Sequence, residues 1–535
     1  MPQPNILILH TDQQRFDTIN ALGHTHVDTP NIDRLVARGT SFTRAYSSNP
    51  VCMAARHDLL TGVSGRHHGY WGNSRAFIQD RALQTVPRLL TEAGYQTIGV
   101  GKMHHRPDRE HHGWAHMRNM EELPNCREND AYLQYLDRSG FGHIRCQHGV
   151  RPLFYHVPQV SRVPEEHHGS AWVATEMIDW LTEERDRPFY AFASWVGPHP
   201  PLYVPQNYLD QYHDRSLPDP CGQPDFSWRQ TPATLENVEG LPYQRLREAY
   251  FAAITLIDTH IGRILDTLEE TRQIDNTVII FMSDHGEMLG DREGYQKHVP
   301  YEGSAHIPMI ACGPGIPQGV CESPVTTWDV AATVLEVSNV EVPDDHALVG
   351  ESLRNVANES GDRSIVFQNG GGAKRYVAAA NRTHKFVHWY NGGDEWLFDL
   401  TSDPFEQVNI INQAPDVANE LRDACLRFEM KHGPADATAD GTFRDHEFVQ
   451  AGPKTCTLHP VWSSHQYPTW TNGYSVQDLE RIGDEMRLCL EEETVFIHTD
   501  PEWRADALGA WTEMGGDGRV VEGLFETVDR RRTSS

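Results

Sequence analysis

Cys52 and Arg56 stand four residues apart in the stretch Pro50-Val51-Cys52-Met53-Ala54-Ala55-Arg56-His57-Asp58-Leu59-Leu60-Thr61-Gly62. A thiol and a guanidinium at i and i+4 share one face of a helical first turn. The start of such a helix also offers free N–H groups and the positive end of the helix dipole, which suit an anion. Elsewhere, polar side chains appear just past apolar runs. Asn5-Ile6-Leu7-Ile8-Leu9-His10 leads into Thr11-Asp12-Gln13, residues 95–100 lead into Gly101-Lys102-Met103-His104, and residues 277–282 lead into Ser283-Asp284-His285-Gly286. A fourth run, residues 188–195, leads into Gly197-Pro198-His199-Pro200. Asp12 and Asp284 are the kind of oxygen donor that a hard divalent cation wants. Lysines and histidines at neighbouring tips can neutralise an anionic ester and move its protons.

Such tips need a scaffold. Short continuous apolar runs read as strands buried on both faces, and ligands gather at the carboxyl ends of strands in open α/β sheets. The alternation of strand, polar tip and helix predicts an α/β domain over residues 1–360, with a doubly wound, mostly parallel sheet flanked by helices. Helices are expected from Thr29-Pro30 to Gly39 with Leu35 and Val36 turned inward, and over 86–93, 171–184, 243–270 and 330–337. Alternating runs at 364–368, 376–380, 384–389 and 395–400 predict an antiparallel sheet. With a helix over 415–431 they make a smaller α+β subdomain at 361–433. Residues 434–535, with a helix expected at 476–492, read as an extension that wraps the core or joins copies into a homo-oligomer. The segments 106–166 and 200–241 read as irregular insertions that shape substrate choice.

Composition narrows the class. The chain has 535 residues, 39% hydrophobic and 23% charged, the balance of a globular protein. Its formal net charge of −29 repels the phosphates of nucleic acids and anionic membranes and favours a small or cationic substrate. There is no apolar run long enough to span a bilayer, and the first residues lack the basic start of a signal peptide, so a cytoplasmic location is expected. Nine cysteines without CxxC spacing argue against a disulfide framework and a structural zinc site.

The stretch from Cys52 to Gly62 resembles the sulfatase signature, Cys-x-Pro-x-Arg followed by an apolar pair and Thr-Gly, with Ala54 at the proline position and Met53 where a small residue is usual. Asp12-Gln13, Asp284-His285, Gly101-Lys102-Met103-His104, His199 and Lys297 are similar to the family's remaining motifs, in the form found in choline sulfatases, arylsulfatases and phosphonate monoester hydrolases. His306 stands where the family often has arginine. The resemblance implies an alkaline phosphatase-like fold and a sulfuric ester hydrolase whose nucleophile is formylglycine, made from Cys52 by a formylglycine-generating enzyme. It implies one divalent cation, calcium first and manganese or magnesium as alternatives, on Asp12, Gln13, Asp284, His285 and the converted Cys52. It also implies that Arg56 holds the formylglycine hydrate, that Lys102 and Lys297 face the sulfate and that His199 protonates the leaving oxygen. His104 would be the base that restores the aldehyde, and Asn73 a substrate contact. Two alternatives use the same residues: a phosphonate monoester or phosphodiester hydrolase, and a non-catalytic ester-binding protein should Cys52 stay unconverted.

Overall fold

The central strand is β1 (Asn5–Asp12), whose apolar residues Ile6 to Leu9 are fully buried. It is joined by β2 (Gly39–Phe42), β3 (Gln96–Gly101), β4 (His116–Asn119), β5 (Phe189–Pro198), β6 (Thr277–Ser283), β7 (Met309–Cys312) and β8 (Gly319–Cys321). These form one eight-stranded sheet in the order β8-β2-β7-β6-β1-β5-β3-β4. β6, β1, β5, β3 and β4 run parallel, whereas β7 is antiparallel to both β6 and β2. The computed structural model describes residues 3–74, 82–124, 126–150, 158–222, 233–234, 243–343, 345–358, 361–449, 454–455, 501–513 and 517–532. The helix expected at 476–492 lies outside them.

Both faces of the sheet are covered, as a doubly wound fold requires. On one face α1 (Pro30–Arg38) packs Ile32 and Leu35 against Leu7, Leu9, Ile279 and Phe281. The other face takes α2 (Cys52–Thr61), whose Leu59 meets Ile8, Val278 and Ile280. On the first face α3 (Gly169–Leu181) and the long α4 (Tyr243–Glu270) add Trp172, Met177, Ile257 and Ile264. On the second, α5 (Thr327–Val337) adds Val330 and Val334. In α1 it is Ile32 and Leu35 that are buried, with Val36 only partly so. Asp258 of α4 accepts the N–H groups of Asn31 and Ile32, supplying from a distance the cap that Thr29 does not make.

A second sheet comprises β9 (Ile365–Asn369), β10 (Tyr376–Ala380), β11 (His384–Trp389) and β12 (Asp394–Asp399), all antiparallel. Its alternation splits it into two faces. Val377, Ala379, Phe386 and Leu397 pack on α6 (Pro415–His432). Phe367, Tyr376, Ala378 and Val387 pack on Tyr46 and Ala305 beside the main sheet. The segment 106–166 departs from the irregular reading: it contributes β4 at the sheet edge and a helix over Ala131–Arg138.

Candidate active site

Strand register performs the first positioning. β1 pairs with β6 up to Thr11↔Ser283, so Asp12 and Asp284 leave adjacent strands side by side. The tips of β5 and β3 follow on the other side of β1, bringing His199 and Lys102 to the same end of the sheet. At the end of β3, Gly101 has φ +95°, and a Cβ there would lie 1.8 Å from the carbonyl oxygen of Ser194. Only glycine allows this close approach of two strand ends, and Lys102 follows at once.

Cys52 opens α2, a run rich in the helix-favouring residues Ala, Met, Arg and Leu. Gly62 closes it in a left-handed cap, its N–H donating to the Asp58 carbonyl. Every residue of the helix is buried. One turn after Cys52, Arg56 spans both acids: Nε donates to Asp284 Oδ2 at 3.0 Å and Nη2 to Asp12 Oδ2 at 2.9 Å. Its Nη1 donates to the Lys102 carbonyl and to Ser194 Oγ. Lys102 Nζ in turn lies 2.8 Å from Asp12 Oδ2 and 2.5 Å from Glu122 Oε2.

The two aspartates differ in their hold on a proton. Burial alone raises Asp12, but the charges of Lys102, His199 and Arg56 outweigh it and hold the group well below the carboxylate range. Asp284 is raised, by burial and then by the charge of Asp12. An added cation here would let both ionise. His285 Nδ1 is 3.0 Å from the Gly286 carbonyl; a carbonyl can only accept, so Nδ1 carries the proton and Nε2 presents a lone pair. That lone pair lies 3.1 Å from Cys52 Sγ. Asp12, Cys52, Asp284 and His285 each offer a donor atom within 4.8 Å of the others, all buried. Two carboxylates, an imidazole lone pair and the Cys52 position thus fit a divalent cation.

Gln13 sits at the same place with a different engagement. Its backbone N–H donates to Asp284 Oδ1 at 3.0 Å, while its side-chain oxygen accepts from Lys297 Nζ and its amide nitrogen donates to Glu287. Lys297 Nζ is also 2.9 Å from His199 Nε2. Since His199 Nδ1 donates to the Pro200 carbonyl at 2.6 Å, Nε2 is the acceptor and the lysine the donor. The thiol itself is pushed up by burial, with Asp12 adding to the effect, so Cys52 stays protonated near neutral pH and is a poor nucleophile as it stands.

His104, at φ +59°, donates its N–H to Glu121. Its buried Nδ1 has no hydrogen-bond partner among the described residues, and burial holds the ring well below its ordinary value. Asn73 is exposed, and its side-chain oxygen accepts the N–H of Met53 at 3.1 Å; it caps the first turn of α2. His306 turns away, bonded to Glu302 and stacked on Phe16. Glu121, Glu122, Ser194 and Glu287 join the site without having been anticipated. For Glu121 and Glu122 the sequence offers only an acidic pair in a stretch otherwise rich in His and Arg.

A doubly wound sheet with paired carboxylates, buried cations and a helix-borne Cys52 at its strand ends is built for attack on an anionic ester. The sequence matches the Sulfatase family over residues 4–340 and the family described as N-sulphoglucosamine sulphohydrolase, C-terminal, over residues 290–430. An arylsulfatase of Clostridium perfringens is 32% identical, the match covering 77% of this chain and 90% of the relative. A choline-sulfatase of Rhizobium meliloti is 27% identical over 83% of this chain and 86% of the relative. Among solved structures, a phosphonate monoester hydrolase of Agrobacterium radiobacter superposes with a TM-score of 0.65 at 23% identity, covering 80% of this chain and 96% of that one, which shows a shared fold. The chain belongs to the sulfatase family, and it is an enzyme of that family. No described helix is long and apolar enough to cross a membrane.

Proposed function

We propose that this enzyme hydrolyses a sulfate monoester of a small molecule, with formylglycine made from Cys52 as nucleophile and one divalent cation beside it. The observation that carries this reading is the convergence of Cys52 Sγ with donor atoms of Asp12, Asp284 and His285, under an arginine that bridges both carboxylates. Asp12, Asp284 and His285 would hold the ion, with Gln13 beside them. The carboxylates suit calcium, and the imidazole moves the balance towards manganese. When present, the ion and the aldehyde hydrate supply a polarised sulfate oxygen and a hydroxyl nucleophile.

The remaining work belongs to the chain. Arg56 fixes the two acids relative to the first turn of α2, and Lys102 and Lys297 neutralise the ester's oxygens as charge builds on the leaving group. Lys297 and His199, joined by one hydrogen bond, hold a proton that can pass to the departing oxygen. His104, neutral and with an open Nδ1, serves as the base that takes the proton from the second hydroxyl when sulfate is expelled. Conversion requires a formylglycine-generating enzyme as partner. A phosphonate monoester is the rival substrate, favoured by the fold neighbour of that activity. Parallel turnover of p-nitrophenyl sulfate and a p-nitrophenyl phosphonate ester, before and after chelation by EDTA, tests the proposal. Sulfate preference with loss on chelation supports it, whereas phosphonate preference or indifference to EDTA overturns the corresponding part.

A further inference from the structure

Among the carboxylates at this site without a part in the scheme above, Glu121 and Glu287 bind backbone N–H groups, whereas Glu122 meets the side chains of Lys102 and His199. It follows β4, whose residue Asn119 ends the strand, and its side chain is 8% exposed. Its Oε2 lies 2.5 Å from Lys102 Nζ and its Oε1 3.5 Å from His199 Nδ1, so it stands between a cation that faces the ester and the histidine of the leaving-group side. The backbone before it is fixed. Glu121 donates its N–H to Asp130 Oδ2 and accepts the N–H groups of Met103 and His104. A swing of Glu122 out of the site would cost the Lys102 contact in a place where Lys102 is wholly buried.

Around the Cys52 position Lys102, Arg56 and Lys297 are the buried cations, and Asp12, Asp284 and Glu122 are acids paired directly with Arg56 or Lys102, while Glu287 is turned to Gln13 and to the N–H groups of Leu289 and Gln296. Asp12 and Asp284 are turned towards the cation site. Glu122 lies on the Lys102 and His199 side, where its charge acts on whatever anion Lys102 receives. A fixed negative charge repels a dianion about twice as strongly as a monoanion at the same distance. Sulfate monoesters and phosphodiesters carry one negative charge, whereas a phosphate monoester near neutral pH carries about 1.5 to 2.

We infer that Glu122 is a specificity-determining residue that selects singly charged esters and rejects phosphate monoesters by charge. The inference rests on the proposed ester chemistry at Cys52, but not on whether sulfur or phosphorus is the preferred centre. Glu122 is not a catalytic residue in this account, since it reaches the ester through Lys102 and through its field.

The test compares wild-type, Glu122→Gln and Glu122→Asp proteins on p-nitrophenyl sulfate, bis-p-nitrophenyl phosphate and p-nitrophenyl phosphate, with Cys52 conversion checked by mass in each. Glu122→Gln is expected to raise the phosphate-monoester to sulfate ratio of kcat/KM about 10-fold or more, while the diester to sulfate ratio stays within about 2-fold. Glu122→Asp keeps the charge and should keep the wild-type ratios. A parallel change on all three substrates would mean that Glu122 only positions Lys102, and would overturn the inference. Should turnover be too slow to read, calorimetric binding of phenyl phosphate against phenyl sulfate gives the same ratio, and an unchanged ratio again overturns it. Wild-type preference for the diester over the sulfate would sink the sulfatase reading and leave this ratio test intact.

Discussion

Two buried clusters in this molecule each set a carboxylate held low beside one that is raised, and they differ in what their geometry allows. At the strand ends, Asp12 is held low and Asp284 is raised, around Arg56 and Lys102. Where the second sheet meets the first, Glu302 is held low and Glu406 is raised, around Lys385 of β11. In that second cluster, Glu302 accepts from Lys385 Nζ at 2.8 Å, from Tyr46 Oη and from His306, and Glu406 accepts the Glu302 N–H. The contacts with Lys385, Tyr46 and Glu406 tie separate stretches of the chain together, and none of these residues is a thiol. The first cluster instead turns a lone pair of His285 and oxygens of both aspartates towards Cys52. Buried charge alone therefore does not mark a reactive centre; convergence of donor atoms on one point does.

Removing a member from each cluster should separate chemistry from cohesion. Cys52→Ala is expected to lower sulfate-ester turnover by ~10⁴-fold or more while the melting temperature moves little. Lys385→Met should do the reverse. It leaves Glu302 and Glu406 buried without their shared cation, at a cost of about 3–5 kcal/mol in denaturant unfolding, with kcat of the folded fraction unchanged. Equal loss of activity in both variants would dissolve the contrast.

A pH titration sharpens the same comparison. Glu121, which holds the Lys102 loop, is raised from 4.5 to about 7, by burial first and then by Asp108. The folded protein therefore binds that proton more tightly than the unfolded chain, so the contribution of Glu121 to stability is fully present below its unfolded value and is lost as pH rises through about 7. Glu121→Gln should flatten the fall between pH 4.5 and 8 by on the order of 3 kcal/mol, measured by urea unfolding. Glu302, held low by Lys385 and His306 despite burial, has the opposite sign: its contribution is present above its unfolded value and is lost only in acid.

The smallest effect expected is at Ala54. It is the third residue of α2, where a backbone N–H has no partner within the helix, so proline fits the backbone there. Ala54→Pro should change stability by less than about 1 kcal/mol and raise the converted fraction of Cys52 when a formylglycine-generating enzyme is co-expressed. An unchanged fraction would show that Ala54 does not limit conversion.

The placement of Asp12, Lys102, His199 and Asp284 at one end of the sheet is legible because Asp12 ends a buried strand and the other three each follow one, and parallel strands deliver their ends to one side of a sheet. The four strands of the second sheet were legible from their alternation, since one face packs on α6 and the other on the main domain. Strand β4 was not. His116-Met117-Arg118-Asn119 is a four-residue edge strand with exposed and half-buried positions, and neither apolar run nor alternation distinguishes it from a loop. Glu121 and Glu122 were hidden with it, because their partners on the Lys102 loop are close in space and not adjacent in the chain. Lys385 reads as an ordinary polar step within β11, and its acids lie 83 residues earlier and on the loop after β12. The resemblance makes Asn73 a substrate contact, and in the structure its side-chain oxygen accepts the Met53 N–H in the first turn of α2.

The central claim is that the nucleophile is a converted Cys52 and not its thiol. Peptide mass spectrometry across Cys52, on protein whose turnover of p-nitrophenyl sulfate has been measured, addresses this most directly. The account predicts a mass about 18 Da below that of the cysteine peptide, as replacement of the thiol by an aldehyde requires, with activity proportional to the converted fraction. Full turnover by protein in which Cys52 is wholly unmodified would contradict it.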